Sequence, residues 1–483
     1  FNLKIIMYNI NLFFNKLKLN SGAIWLENET IKIFVTEKLK NQETKDFILN
    51  NKSQLISVLK ENKIFSKENF SNVFIFRNKE TINYPLSPAQ ERLWFVEQYE
   101  EGSNAYHLPN VLELDIDTDK EGIKYALQQI VSRHEILRST IEQRENQENG
   151  TQKVHSAPLF IEEITLTDTI DYKSLIKEDI NRPFNLNAEY PIRIKFYTIE
   201  SSSSDALNKT LLLINMHHIA SDGWSMGLFQ KELYQFYEGY INNDENFSLP
   251  ELEIQYKDYA LWQKSYLVGE ILDNQLNYWK NKLSGFQLLE FPIDYARPSE
   301  INYKGASQRF KINNEVGKKL RQLGQQYGVS LNSVMLSSIN ILLNKYTGQD
   351  DIVIGTAIAN RHHKQTEELI GFFVNAQANR TILNNTQTFE QLIQLVHQDQ
   401  IDAQLHQDLP FEKLVDELGI ERDSSRHPIY QIKFIMESFG SQNESSKLQK
   451  DYFKPYLEEE VYEVAKFDLL VTISDNQEEL IGE

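Results

Sequence analysis

The sequence predicts an α/β fold, because short apolar runs alternate with segments that have the period of an amphipathic helix. Residues 211–216 form one such run, and a short polar turn separates it from a helical segment at about 224–240. Ile352-Val353-Ile354-Gly355 is a second β-rich run between helical segments. With 483 residues, the chain is long enough for two or three domains, each with its own core.

The composition is that of an ordinary globular protein, with 41% apolar and 25% charged residues. The chain has no cysteine, which excludes disulfides, zinc–cysteine sites and thiol catalysis and suits a reducing compartment. No apolar run approaches the roughly 18–20 residues that span a bilayer. Residues 1–19 are interrupted by lysines and asparagines, unlike a signal peptide. We therefore expect a cytoplasmic protein that makes no membrane contact.

The charge is acidic overall and unevenly distributed along the chain. A formal net charge of −19 argues against nucleic acid as a partner, and we find no basic stripe with interleaved aromatic residues. Residues 1–65 contain ten lysines and six acidic residues, so their net charge of +4 leaves −23 for the remainder. A basic N-terminal segment followed by an acidic remainder indicates two modules with different partners.

The first 65 residues have the pattern of a small module with the order helix, strand, strand, helix, helix. The predicted elements are a helix at 11–17, strands at 24–26 and 31–35, and helices at about 44–49 and 55–59. Thr44 is the predicted cap of the second helix. The two strands flank a polar turn, which predicts a hairpin.

Residues 66–83 are polar apart from Val73-Phe74-Ile75-Phe76, and they have no internal period. We interpret them as a semi-ordered linker. Two prolines, Pro85 and Pro88, then end this segment, and the large domain begins near Tyr84. Ser87 and Pro88 are the predicted cap and first residue of the helix that follows.

The stretch His217-His218-Ile219-Ala220-Ser221-Asp222-Gly223 directly follows the apolar strand at 211–216 and precedes a helix. Rigid elements at a sheet rim can hold a base against a substrate, and histidine titrates close to neutrality. Two other interpretations stay open here, that the histidines are structural or that His218 and Asp222 bind a metal. Successive strand residues point to opposite faces and no third ligand is evident, so we expect no metal.

The pattern HHxxxDG resembles the active-site signature of condensation domains of nonribosomal peptide synthetases, within the chloramphenicol-acetyltransferase-like superfamily. Six further segments resemble the family's other motifs and follow the family's order over about 350 residues. They are LSPAQERLW (86–94), RHEILR (133–138), YKDYALWQ (256–263), IGFFVN (370–375), HQDLPFE (406–412) and RDSSRHP (422–428). The segment IGFFVN is expected to be a strand in which Gly371 permits close backbone approach. In RDSSRHP, His427 stands where asparagine is more usual.

The resemblance implies two acetyltransferase-like lobes, at about 84–250 and 251–483, set as a V with the second histidine at their interface. It implies an enzyme that joins a donor aminoacyl or peptidyl thioester to the amine of an acceptor aminoacyl thioester. Both substrates arrive on phosphopantetheine arms of donor and acceptor carrier proteins, so we expect no bound cofactor. Family members continue beyond Glu483, and we therefore expect that the C-terminal end of this chain is truncated.

The resemblance assigns His218 to the transfer, because an attacking α-amine must be neutral and must lose a proton that a fixed imidazole can accept or orient. Whether His218 is a base or a positioning group stays open. Asp222 is implied to be structural and to pair with Arg361, while His217 supports the loop. Gly223 is predicted where the chain turns tightly, with an N–H that could face developing oxyanion charge.

The residues from Asp222 to Gly227 look most like those of members that join an L-configured donor to an L-configured acceptor. Cyclising members have paired aspartates in place of the histidines, and epimerising members differ after the Asp-Gly pair. Trp224 is expected to be a wall or core residue. Two alternatives to condensation are a starter-type acyltransferase with a fatty acyl donor and a non-catalytic scaffold that binds carrier proteins.

The element order of residues 1–65 resembles that of TubC-type docking domains, which stand at the start of synthetase subunits. In that family the upstream synthetase subunit provides a short, often acidic C-terminal tail, which adds a strand to the hairpin by β-augmentation and charge steering. Lys32, Lys38 and Lys40 are the candidate contacts with this tail. The alternative is a solvated lysine-rich face on a small helical cap.

Overall fold

The computed structural model describes residues 2–79, 83–99, 104–143, 150–202, 207–244, 246–420, 423, 425–438, 452–456, 464–476 and 479–483. Helices and mixed sheets form an α/β fold, so the predicted fold class is confirmed. The chain divides into two compact units. Unit 1 comprises Phe1–Ile271, Arg361–Phe373 and Asp451–Leu457, and unit 2 comprises Leu272–Asn360, Val374–Lys450 and Glu458–Glu483. The domain boundaries predicted from the sequence stay a prediction.

Unit 1 begins with a small module that has the predicted order of helix, two strands and two helices, followed by one short helix. Its elements are α1 (Asn2–Leu19), β1 (Ala23–Glu27), β2 (Thr30–Phe34), α2 (Gln42–Asn50), α3 (Lys52–Glu61) and α4 (Lys67–Asn72). The first helix extends beyond the predicted 11–17. The predicted cap of α2 was wrong, because the Asn41 side chain accepts the Thr44 N–H at 2.9 Å and Thr44 lies inside the helix.

β1 and β2 pair antiparallel through a two-residue turn. Both turn residues, Asn28 and Glu29, have positive φ (47° and 64°), as in the type I′ turn whose twist matches a hairpin. The Leu26 N–H donates to the carbonyl of Ile64 at 3.0 Å, so it points away from β2. β2 is an edge strand, and four of its five residues are exposed.

Within residues 66–79, the structure is more ordered than the semi-ordered linker that we predicted. The Ser66 side chain caps α4, and Phe70 and Phe76 are buried in the core of the N-terminal module. Ile75 lies instead in the core of the remainder of unit 1. The periodicity was missed because α4 has only six residues, too few for a helical pattern to repeat.

In its described residues, the remainder of unit 1 contains two sheets, and five α-helices lie between residues 83 and 267. The strands are β3 (Asn83–Pro85), β4 (His107–Leu114), β5 (Ser139–Glu142), β6 (Thr151–Val154), β7 (Ile161–Thr167), β8 (Ile192–Glu200), β9 (Lys209–His217) and β14 (Phe453–Pro455). The helices are α5 (Pro88–Tyr99), α6 (Lys120–Arg133), α7 (Tyr172–Asn181), α8 (Gly223–Ile241) and α9 (Tyr256–Tyr266). The sheet orders are β14-β4-β9-β8-β7 and β3-β6-β5.

β9 is the central strand of the five-stranded sheet and pairs antiparallel with β4 and β8. A central strand covered on both faces is expected to be apolar along its whole length, and Leu212, Ile214 and Met216 are fully buried. Helices α6 and α8 contribute to the same core. The α6 helix ends at Arg133, and a 3-10 turn over Glu135–Arg138 follows it.

Unit 2 is built on a six-stranded mixed sheet. Its strands are β10 (Phe310–Ile312), β11 (Asp351–Ile358), β12 (Asn375–Ile382), β13 (Ile432–Ser438), β15 (Leu469–Asp475) and β16 (Leu480–Gly482). The helices from residue 269 onward are α10 (Gly269–Lys282), α11 (Asn314–Tyr327), α12 (Leu331–Thr347), α13 (Phe389–Leu405) and α14 (Phe411–Leu418). The sheet order is β10-β16-β15-β13-β11-β12, in which β13 runs parallel to β11 and β15.

One hydrophobic core of unit 2 lies where α12 and α13 cover this sheet, around Leu336, Ile354 and Phe434, and another lies around Trp279, Ala378 and Leu414. The predicted β-rich run at 352–355 lies within β11. Arg422 and Ser424 of the seventh predicted motif lie outside the described residues. Across the part of the chain that the structure describes, no helix combines the length and apolar content needed to cross a membrane.

Candidate active site

The predicted strand, turn and helix around the histidine pair are confirmed in their order. β9 ends at His217, a 3-10 turn covers His218–Ala220, and α8 begins at Gly223. Asp222 is the N-cap of α8, in extended conformation. Both histidines therefore lie at the end of a central strand, and the aspartate holds the first turn of the helix.

His217 is fully buried, and both of its ring nitrogens are engaged. Its Nδ1 accepts the N–H of Ile219 at 3.1 Å, so its Nε2 holds the proton and donates to the Glu97 carboxylate at 3.0 Å. The rings of His107 and Phe184 pack edge-on against it. His217 is thereby fixed as one tautomer, and its ring joins the turn at Ile219 to Glu97 of α5.

His218 is half-buried, and its backbone N–H donates to the carbonyl of Tyr106 at 2.8 Å. Its imidazole meets the ring of Phe372 edge to face, with ring centroids 4.9 Å apart and an interplanar angle of 72°. Of the two histidines, His218 is therefore the one whose side chain solvent or a substrate can reach. Phe372 restricts the orientation of its ring.

The Asp222 carboxylate is buried and receives donors on both oxygens. Oδ1 accepts the N–H of Ser225 at 2.8 Å and lies 3.3 Å from Nη2 of Arg361, while Oδ2 accepts the N–H of Phe373 at 3.0 Å. These contacts cap a helix and fix a distant backbone segment. The arrangement suits a structural carboxylate, and it brings Asp222 and Arg361 together as predicted.

Arg361 is buried and spreads its guanidinium over several acceptors. Nη1 donates to the carbonyls of Thr366 and Leu369 at 2.5 and 2.7 Å, and Nη2 donates to the Ser225 hydroxyl at 2.7 Å. The guanidinium also lies 4.0 Å above the ring of Phe373. Burial lowers the pKa of Arg361, and Asp222 opposes that shift. An arginine remains charged even so.

We refer to Arg361–Phe373, the second segment of unit 1, as the strap. Buried side chains from three other elements bind its backbone. The Ser225 hydroxyl accepts the N–H of Gly371 at 3.1 Å and donates to its carbonyl at 2.9 Å. The Tyr256 hydroxyl donates to the carbonyl of Phe372 at 2.7 Å. These contacts explain why Phe372 is held against His218.

His134 binds the strap as well. Its Nδ1 accepts the N–H of Ile370 at 3.2 Å, so its Nε2 donates to Glu232 at 2.9 Å, and Arg133 donates to the same carboxylate at 3.0 Å. Burial lowers the pKa of His134. Burial alone would raise the pKa of Glu232, but His134 and Arg133 together hold it below its usual value. The RHExLR segment thus orients the strap.

Glycine is required at position 371 because the backbone there lies very close to the ring of Tyr256. A Cβ atom at this position would lie 2.1 Å from Cδ2 of Tyr256, a rigid and fully buried ring. The prediction of close backbone approach is therefore confirmed. The predicted strand was wrong over 370–374, because β12 begins only at Asn375. The backbone groups there bond to side chains instead of to a neighbouring strand.

Gly223, predicted where the chain turns tightly, is exposed and is the first residue of α8, with no positive φ. Among the described residues, no atom lies within 4 Å of the position that its Cβ would take. Its N–H belongs to the first turn of α8, where helix N–H groups have no partner within the helix. Trp224 is half-exposed and donates from Nε1 to the carbonyl of Glu367, at 3.0 Å.

The sequence did not single out Glu97, Ser225 or Glu232. Glu97 follows the buried Trp94 by three residues on α5, and Ser225 precedes the buried Phe229 by four on α8. Polar residues on a buried helix face were the signal that could have found them. Within the described chain, no group of three or more His, Cys, Asp or Glu side chains has an arrangement that could hold a metal.

Of the three predicted docking lysines, Lys32 lies on β2, Lys38 lies in the 3-10 turn Glu37–Leu39, and Lys40 directly follows that turn. Lys32 pairs with Glu27 at 3.4 Å, Lys40 pairs with Glu37 at 3.0 Å, and Lys38 is exposed. Exposed pairs of this kind contribute only about 0–1 kcal/mol each, so they exchange readily for other partners.

Comparison with known sequences gives a consistent result. A family model described as "Condensation domain" matches residues 80–481. Gramicidin S synthase 2 of Brevibacillus brevis is 32% identical over 400 residues, which cover 82% of this chain and 8% of that protein. Malpinin synthetase of Mortierella alpina is 34% identical over 395 residues, which cover 80% of this chain and 5% of that protein. This chain therefore spans less than a tenth of the length of these relatives.

Solved structures share the fold. The X-domain in its complex with OxyB from teicoplanin biosynthesis matches with a TM-score of 0.73 at 24% identity, covering 85% of this chain and 89% of that one. The first condensation domain of the calcium-dependent antibiotic synthetase, in complex with a substrate analogue, matches with a TM-score of 0.64 at 15% identity. That match covers 83% of this chain and 90% of the other.

Proposed function

Because the chain belongs to the condensation-domain family, whose members in nonribosomal peptide synthetases are amide-bond-forming acyltransferases, we propose that it joins two carrier-bound substrates through an amide bond. The observation that carries the proposal is the division of roles between the two histidines. His217 is buried and committed at both nitrogens, whereas His218 is half-buried at the end of β9. We propose a cytoplasmic location for this reaction.

In the proposed reaction, the acceptor α-amine attacks the donor thioester carbonyl. A C–N bond forms and the C–S bond breaks, the amine loses one proton, and the departing phosphopantetheine sulfur takes one up. His218 accepts the amine proton or orients the amine for attack. An α-amine has a pKa of about 7.7–8.0, so a substantial fraction is already neutral near pH 7 and orientation carries much of the effect.

The residues around His218 help to hold its side chain in position. Asp222, Arg361 and Ser225 fix the strap to the first turn of α8, and this supports a stable position for His218 against Phe372. The N–H of Gly223, an exposed residue at the positive end of the α8 dipole, is our candidate for stabilising the oxyanion of the tetrahedral intermediate.

The stereochemistry of the substrates, their delivery and the arrangement of the lobes are also part of the proposal. The residues from Asp222 to Gly227 favour an L-configured donor and an L-configured acceptor. Donor and acceptor carrier proteins deliver the substrates on their phosphopantetheine arms. The V-shaped arrangement of two lobes, at about 84–250 and 251–483, belongs to the same proposal.

The test is to mix the protein with a donor aminoacyl-carrier and an acceptor aminoacyl-carrier and to read both by intact mass. We expect the donor mass to move to the acceptor carrier, and His218→Ala to abolish this transfer. Transfer from fatty acyl carriers but not from aminoacyl carriers would favour the starter-type acyltransferase. Carrier binding without any transfer, across several L-donors, would favour the non-catalytic scaffold.

We propose further that residues 1–65 dock the C-terminal tail of an upstream synthetase protein, which adds a strand to β2. The Leu26 N–H points away from β2, so Leu26 and Ile31 form a non-hydrogen-bonded pair, and the backbone N–H and C=O of Ile31 and Ile33 point to the open edge. The side chains of Ile33 and Phe34 are 36% and 44% exposed, which suits an apolar strand as the partner.

Lysines lie on β2 and just after it, where an acidic tail bound along the open edge of β2 would contact them. We expect Lys32→Glu, Lys38→Glu and Lys40→Glu together to weaken the binding of labelled acidic tail peptides at least tenfold, measured by fluorescence anisotropy. A matched control reverses three exposed lysines of the same module, Lys45, Lys52 and Lys63, which lie outside β2 and the turn after it. An equal loss of affinity in both triple variants would mean that only the overall charge of the module matters. Unchanged binding in the variant of Lys32, Lys38 and Lys40 would reject the docking assignment.

A further inference from the structure

The strap is clamped on a second side by the segment that leaves the N-terminal module. Oε1 of Gln365 accepts the N–H groups of Phe74 and Ile75 at 3.2 and 3.1 Å, and its Nε2 donates to the carbonyl of Ile75 at 3.0 Å. One strap side chain thus binds three backbone groups of a segment 290 residues away in sequence. The contact has the donor and acceptor pattern of a strand pairing, made by an amide side chain.

Aromatic contacts strengthen the same junction. The ring of His363 stacks on Phe74, with centroids 5.0 Å apart, and meets the ring of Trp262 edge-on at 4.9 Å. Burial lowers the pKa of His363 to about 4, so this ring is neutral at pH 7 and stacks without a charge to solvate. The Lys18 ammonium also lies 4.8 Å from the Phe74 ring centroid.

The clamped segment belongs to two cores at once. Ile75 is buried in the core that contains α6, α8 and β9, while Phe76 is buried in the core of the N-terminal module, together with Phe70. Leu261 of α9 also lies in the core of the module. Residues 73–76 therefore cannot shift without disturbing both cores, and Gln365 binds the strap to a rigid base.

We propose that Gln365 is a positioning residue for the transfer reaction, through which the N-terminal module holds the strap and thereby sets His218 against Phe372. This inference rests on the proposed function. On one side the strap is bound by Ser225, Tyr256 and His134, and on the other by Gln365. A strap released on the Gln365 side would leave Phe372 less constrained, and small displacements of reacting groups reduce rates strongly.

The test compares Gln365→Leu with a matched control, Gln128→Leu. Gln128 is also half-buried in unit 1 and clamps one residue at both backbone groups, the carbonyl of Leu159 at 2.7 Å and its N–H at 3.0 Å, but it does not bind the strap. We expect Gln365→Leu to lower kcat about tenfold with KM for both carriers unchanged, and Gln128→Leu to leave kcat within about twofold. Both variants should lose similar amounts of thermal stability.

A conservative variant and a spectroscopic signal separate positioning from general damage. Gln365→Glu keeps the acceptor for the N–H groups of Phe74 and Ile75 but sets a second oxygen against the carbonyl of Ile75, so its kcat should lie between those of the native protein and of Gln365→Leu. The Trp224 indole donates to the strap carbonyl of Glu367, so its indole N–H resonance, assigned with Trp224→Phe, should shift in Gln365→Leu and not in Gln128→Leu.

The outcomes distinguish the inference from the proposed function. A native protein that transfers no acyl group refutes the proposed function, whereas the resonance shift still reports on the strap. Native transfer with full kcat in Gln365→Leu, or an equal loss in Gln128→Leu, overturns the positioning role. A change confined to KM, or an unshifted Trp224 resonance, overturns it as well.

Discussion

The guanidinium of Arg361 lies 3.3 Å from the carboxylate of Asp222, yet its shorter hydrogen bonds go elsewhere. Nη1 binds two carbonyls of the strap itself, and Nη2 binds the Ser225 hydroxyl at 2.7 Å. The ion pair is thus one contact among several in a fully buried network. Arg361 closes the strap onto itself and joins it to α8, and Asp222 neutralises the charge that this requires.

Removing the arginine should therefore cost more than an ion pair at the surface. We expect Arg361→Ala to lower the free energy of unfolding by about 3–5 kcal/mol, because it leaves the Asp222 carboxylate buried without its cation. Urea denaturation followed by circular dichroism measures the effect. Arg182→Ala, at an exposed arginine of the same unit, should change it by less than about 0.5 kcal/mol. Equal effects would mean that the buried network contributes nothing.

The two adjacent histidines should respond oppositely to the same substitution. His218→Ala is expected to abolish transfer with little change in stability, since its side chain is half-buried at the end of β9. His217→Ala should lower the free energy of unfolding by about 1–3 kcal/mol, because it leaves the Ile219 N–H and the Glu97 carboxylate without their partner. Mass-based transfer assays and urea denaturation of both variants provide the comparison. Comparable stability losses in the two variants would contradict this division of roles.

Much of the site's frame could be predicted from the sequence, because local pattern determines local structure. The apolar run before His217 and the helix that starts after the polar turn both follow from short-range rules. The pairing of Asp222 with Arg361 was predicted only through the resemblance to a family. No periodicity connects two residues 139 positions apart.

The contacts of the strap could not be predicted for the same reason. Its backbone binds the side chains of His134, Ser225 and Tyr256, which come from three helices or turns far apart in sequence. A segment whose hydrogen bonds go to side chains has no strand or helix signature, so 370–374 looked like a strand. Gln365 was missed because an amide in a polar loop looks like any solvated residue.

His107 should make unit 1 sensitive to acid. Burial lowers the pKa of His107 to about 4, whereas the unfolded chain has the ordinary value of 6.5. The unfolded state then binds a proton that the folded state does not, so the stability present above pH 6.5 is lost as the pH falls toward 4. Arg193 and His217 add to the lowering of the pKa, and Glu97 and the carbonyl of Ile180 oppose it.

His107→Phe tests this acid sensitivity, because the carbonyl of Ile180 keeps a second donor in Asn215 at 3.1 Å. As the pH falls from about 7 to 4.5, we expect the native protein to lose more unfolding free energy than this variant does. The measurement is urea denaturation at several pH values in that range. Parallel curves for the two proteins would show that His107 does not contribute to the acid sensitivity.

Substitutions at Gly223 can distinguish an effect on the space for substrate from an effect on the stability of α8. No described atom lies within 4 Å of the position for a Cβ at Gly223, and the same holds for Gly227 one turn later on α8. Both glycines are exposed and have helical backbone, so an alanine at either should leave stability unchanged or raise it by up to about 1 kcal/mol. A side chain at Gly223, however, would project from the first residue of α8, directly after the turn that contains His218.

We therefore expect Gly223→Val to lower the rate of transfer at least tenfold without loss of thermal stability, and Gly227→Val to leave the rate within about twofold. The measurement is the initial rate by intact mass, with the thermal midpoint of each variant determined in parallel. If the open position at Gly223 is used by the reacting thioester, the effect should fall mainly on kcat for every donor. Equal rates in the two valine variants would mean that this space lies outside the reaction, and the candidate oxyanion donor would then have to be sought elsewhere.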